Sequence, residues 1–69
     1  MALLTDIDVR NARWAVGQFD KDIAANPSLG VNVYGSDDAM LRQYLNDSGF
    51  AGISETEARA LAHRVRQED

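Results

Sequence analysis

Carboxylates dominate the chemistry available to this 69-residue chain. Asp6-x-Asp8, Asp20-x-Asp22 and Asp37-Asp38 each bring two acids close in sequence, and Asp47 stands alone. Alternating carboxylates open a calcium loop, but an EF-hand also needs a third alternating ligand, then Gly, then a terminal Glu. None of the three stretches supplies that series, so no metal is expected. Paired carboxylates also serve glycosidases. A short helical domain leaves little room for the substrate cleft such chemistry needs. Nucleophilic catalysis requires a His set against a Ser or Cys. The chain has no Cys and one His, His63, which falls opposite the apolar stripe of its helix and should be solvated. Gly49 and Gly52 precede a helix as phosphate-binding glycines do, yet Glu55 and Glu57 in its first turn would repel a phosphate. The residues therefore predict neither an enzyme nor a cofactor site.

What remains is binding, and the elements decide which groups are free for it. The pattern predicts a mainly α domain of three helices, at about 6–25, 37–48 and 55–67, in one unit spanning 1–69. The first begins at Thr5, with Asp8 three residues on as a weak capping box. Val9, Ala12, Val16, Phe19 and Ile23 form its apolar stripe. Asn26-Pro27 ends it, because the residue before proline is pushed out of the α region. Ser36 caps the second helix, and Asp37 and Asp38 complement its dipole. Met40, Leu41, Tyr44 and Leu45 are its core face, and Gly49 is its stop. Ser54 and Glu57 make a full capping box for the third, with Ile53 and Ala58 as a hydrophobic staple. Ala58, Leu61, Ala62 and Val65 are its stripe. Between the first two helices, Val31 to Tyr34 alternate apolar and polar between Gly30 and Gly35, which reads as a short extended segment or strand.

A domain of this length has a thin core, and without Cys neither disulfides nor a Cys/His zinc site can reinforce it. No apolar run approaches the ~20 residues of a membrane span. Met1-Ala2-Leu3-Leu4 lacks the charged and long apolar regions of a signal peptide, so a cytoplasmic location is expected.

Eleven acids against seven bases give a net charge of −4, the wrong sign for binding nucleic acid directly. The imbalance is uneven. Residues 1–57 carry nine acids and four bases, and residues 58–69 carry two and three. Part of the acidity is helix capping. Asp6, Asp8, Asp20, Asp22, Asp37, Asp38 and Asp47 are candidates for a surface that meets a basic partner, chiefly those that capping leaves free: Asp6, Asp20, Asp22 and Asp47 with the Asp37-Asp38 pair. Trp14 joins them. With Ile7 it lies opposite the Val9–Ile23 stripe, so either the Val31–Tyr34 segment covers it or it belongs to a contact surface. Two other readings stand beside this one. The second and third helices would make a helix-turn-helix reading DNA through Arg59, His63 and Arg66, against which stand the charge and the long connection. The Asp47-Ser48-Gly49-Phe50 turn resembles the Gly-aromatic loop of ubiquitin-associated interaction domains, although that loop joins their first two helices.

Over its whole length, from Met1-Ala2-Leu3-Leu4-Thr5-Asp6-Ile7-Asp8 through Tyr34-Gly35-Ser36-Asp37-Asp38, the chain resembles the small acidic anti-CRISPR proteins of phages and mobile elements, in particular inhibitors of type I-C complexes. The resemblance implies binding to a Cas protein of Cascade, in its large or backbone subunits, inside the host bacterial cell. It also implies blocked recruitment of target DNA, with the carboxylates above imitating phosphates. Arg10, Arg13 and the basic third helix depart from a uniformly acidic mimic.

Overall fold

The computed structural model describes residues 5–67; the signal-peptide reading of Met1–Leu4 lies outside them. The described chain is mainly helical: α1 (Asp6–Ala25), a wide π turn (Gly30–Tyr34), α2 (Asp37–Asp47) and α3 (Glu55–Gln67). Each α-helix begins where a side chain satisfies the orphan N–H groups of its first turn. At α1, the Asp8 amide donates to Thr5 Oγ1 (3.1 Å) and the Thr5 amide to Asp8 Oδ2 (3.2 Å), a complete box built with Asp in place of Glu. At α2, Ser36 Oγ accepts from the Ala39 amide at 3.0 Å. At α3, Ser54 and Glu57 exchange two bonds of 3.1 Å.

The stop of α2 is equally chemical. Gly49 takes φ 105°, a left-handed conformation cheap only without a Cβ. This lets the Phe50 amide reach back to the Leu45 carbonyl (3.0 Å), the long bond of a Schellman motif. Phe50 then packs at the edge of the core that contains Leu45, so the turn and the core fix each other.

Three stripes meet in that core: Ala12, Ala15, Val16 and Phe19 of α1; Met40, Leu41 and Leu45 of α2; Ala58, Ala62 and Val65 of α3. Four of these ten are Ala, so the helices pack through small side chains and the interior is as thin as the length implies. Met40 and Leu45 are the largest side chains wholly buried in it. Tyr34, Tyr44, Leu61 and Ile23 lie half-buried against its rim. The Tyr44 ring stands edge-on to Phe19 (centroids 6.2 Å apart) and to Tyr34 (6.3 Å).

The segment 31–34 is not extended. Gly30–Tyr34 winds as one π turn against α2. The period-two pattern is misleading because no other strand exists among the described residues to pair with it, and a lone strand leaves its backbone groups unpaired. The wider coil instead turns Leu29 and Tyr34, five residues apart, toward the core and leaves Val31 and Val33 60% and 67% exposed. Gly30 makes this possible. A Cβ there would lie 2.9 Å from the Asp37 Cα and would also strike Asp37 Oδ1, so the turn fits against the start of α2 only because position 30 has no side chain.

Candidate functional site

The acidic residues singled out by sequence divide into four groups once their neighbours are known. Asp8 is committed to the α1 cap. Two are paired with α3: Asp20 Oδ1 lies 2.6 Å from Arg66 Nη2, with Nε also donating to Oδ2 at 3.3 Å, and Asp38 Oδ2 lies 3.5 Å from Arg59 Nη1. These contacts also occupy two of the three side chains of the proposed DNA-reading ridge; the third, His63, is exposed as expected. Asp6 and Asp37 sit exposed in the first turns of α1 and α2.

Asp22 and Asp47 form the fourth group. They line one groove of about 330 Å³ between α1 and α2, together with Trp14, Gln18, Tyr44 and Ser48. Helical spacing explains the α1 wall. Trp14, Gln18 and Asp22 follow each other at i, i+4 and i+8, so they form one ridge. The opposite wall is the last turn of α2. Asp47 Oδ1 is held by Gln43 Nε2 (2.9 Å) and Asn46 Nδ2 (3.4 Å), which orient the carboxylate and leave its charge intact. Neither Asp22 nor Asp47 takes part in the ion pairs Arg59–Asp38 and Arg66–Asp20.

Asp22 is fixed from the other side. The Tyr44 hydroxyl donates to its Oδ2 at 2.5 Å. That bond is the main reason the Tyr44 phenol is pushed up from 10.0 to about 12, followed by burial and by the negative charge of Asp22. Tyr44 therefore stays a neutral donor across the physiological range. It clamps Asp22 in place at the groove wall and anchors that wall to the Phe19–Tyr34 ring cluster.

Trp14 is 63% exposed, and Ile7, on the same face, 67%. The π turn packs on α2 and leaves Trp14 uncovered, so of the two readings of this residue the exposed one holds. Sequence reasoning named Trp14, Asp22 and Asp47 separately. It missed Gln18 and Ser48, and assigned Tyr44 wholly to the core. The i+4 spacing from Trp14 through Gln18 to Asp22 was the available signal for the first of these.

The groove presents an aromatic face beside two oriented anions, an arrangement that attracts a cation through the ring quadrupole and through the carboxylates together. Among the described residues, no group of three or more acidic, His or Cys side chains could hold a metal ion, and no helix is long and apolar enough to cross a membrane. Phe50, the aromatic of the loop likened to ubiquitin-associated domains, packs against the core, and its loop joins α2 to α3. Comparison with known proteins finds no matching family model, no matching curated protein and no matching solved structure.

Proposed function

We propose that this protein is a binding module and not an enzyme, and that it acts as an anti-CRISPR inhibitor in the cytoplasm of a host bacterium. Its acidic α1–α2 edge seats on the basic nucleic-acid channel of a type I-C Cascade, contacting a Cas subunit there, and obstructs target DNA. The observation that carries this reading is the groove. An exposed Trp is flanked by two fixed carboxylates that lie outside both ion pairs to α3. Interface anchors are enriched in Trp, and rim charges of one sign speed and orient encounter with a surface of the other. The net charge of −4 acts in the same direction.

The contact surface is narrower than the count of acids implies. Asp20 and Asp38 are paired with arginines of α3, and Asp8 is held in the α1 cap by the Thr5 amide. Asp6, Asp22, Asp37 and Asp47 remain to meet a basic partner, with Trp14 as the apolar anchor. A DNA-reading third helix is the weaker alternative, because Arg59 and Arg66 already hold carboxylates that a phosphate backbone would have to displace. An interaction module of the ubiquitin-associated kind is weaker still, since Phe50 is partly withdrawn into the core.

The test is binding to immobilised, purified type I-C Cascade. Reversing Asp37 and Asp47 to Lys should weaken binding about tenfold or more, mainly through the association rate, and wild-type affinity should fall as salt screens the contact. Affinity unchanged by both treatments rules the acidic-edge reading out.

A further inference from the structure

We infer that the groove between α1 and α2 is an arginine-binding site: it takes one guanidinium from a basic segment of the partner, laid on the Trp14 ring and held by the Asp22 and Asp47 carboxylates. The inference deepens the binding role proposed above and rests on it, but its test involves no Cascade. The geometry supplies each part of a guanidinium site. Trp14 lines the groove with most of its side chain exposed. Asp22 has Oδ2 occupied by the Tyr44 hydroxyl, which fixes the carboxylate plane. Asp47 is oriented through Oδ1 by Gln43 and Asn46. Both therefore meet an incoming cation with little ordering left to do, which is the part of binding that pre-organisation removes. A volume of about 330 Å³ accommodates a long side chain and the backbone beside it.

Charge selects a cation, and shape selects arginine among cations. A guanidinium is planar, sheds water more easily than an ammonium, stacks on an indole and still directs N–H groups sideways to carboxylates. Lysine's compact, strongly hydrated ammonium could reach the carboxylates but has no planar face to stack on the indole at the same time. One pair within the protein itself shows that forked geometry: Arg66 grips Asp20 with two donors. Neither groove carboxylate takes part in the ion pairs Arg59–Asp38 and Arg66–Asp20.

Trp14 is the only Trp, so its emission reports occupancy directly. The full chain is titrated with a doubly capped Gly-Arg-Gly peptide, with the Lys analogue, and with the citrulline analogue, which keeps the shape and loses the charge. The expected result is a saturable change with the arginine peptide, weaker binding of the lysine peptide and none of the citrulline peptide. Asp47→Asn should reduce arginine affinity about three- to fivefold, the size of one partly exposed ion contact, with the thermal midpoint unchanged. Equal responses to arginine and citrulline, no saturable response to arginine, or full affinity in Asp47→Asn overturns the assignment. If Trp14 emission instead shifts with protein concentration alone, and Asp47→Asn abolishes the shift, the occupant is a second copy of this chain and the assignment also falls. An arginine peptide that binds while Cascade does not leaves this site standing and removes only the partner proposed above.

Discussion

The same substitution, Gly to Ala, should move stability in opposite directions at two positions, and the contrast tests the packing directly. Gly17 lies exposed in the middle of α1, where a Cβ meets nothing within 4 Å. Alanine there restores helix propensity and restricts the unfolded chain, a gain of about 1 kcal/mol. Gly30 lies buried in the π turn. Its added Cβ would sit 2.9 Å from the Asp37 Cα, against 3.4–4 Å for ordinary contact. The Asp37 side chain can rotate away from the new methyl, but its Cα cannot, so turn and helix must part by about half an ångström, taking 3.4 less 2.9 Å. Overpacking of that kind costs about 1–3 kcal/mol, only partly offset by the entropy term. The two variants should therefore differ by roughly 2–3 kcal/mol, which in a domain of this size is about 10–20 °C in thermal midpoint. Circular dichroism at 222 nm during heating, with urea melts for the free energies, reads both. A Gly30→Ala variant as stable as Gly17→Ala would refute the placement of the π turn against α2.

Two further outcomes follow from the groove and its clamp. Trp14 should emit at long wavelength in the free protein, and caesium should quench it more efficiently than iodide, because Asp22 and Asp47 repel the anion; blue-shifted emission that resists both ions contradicts the exposed placement. The Tyr44 phenol is raised in the folded state, so the stability it contributes is complete below pH 10 and is lost as pH rises toward about 12. Tyr44→Phe should accordingly lower stability at neutral pH by about 1 kcal/mol and flatten that part of the alkaline decline; identical slopes in the two proteins would show that the Asp22 bond does not persist in solution.

The helices were legible because their boundaries are written in local chemistry. Thr5 with Asp8, Ser36, and Ser54 with Glu57 act over three residues, and each cap forms as its spacing indicates. The π turn was not legible, because what decides it is distant: Gly30 approaches Asp37, and Leu29 and Tyr34 find the core. The site shows the same division. Sequence located the acids and Trp14, yet Asp20 loses its free charge to Arg66, 46 residues away, which no local pattern announces. That Asp22 and Asp47 share a groove likewise depends on how α2 lies against α1. Tyr44 was read as core from its stripe. Its ring does pack there, but its hydroxyl reaches the groove wall, and helical periodicity places a residue without saying where the far end of a long side chain goes.

We propose that the α1–α2 edge occupies a basic channel that target DNA needs. Loading of a labelled target duplex onto purified type I-C Cascade, measured with and without the protein, tests it most directly. Wild-type protein should block loading when added first, and Trp14→Ala combined with Asp47→Lys should restore it. Undiminished loading in the presence of saturating, folded wild-type protein would rule this proposal out.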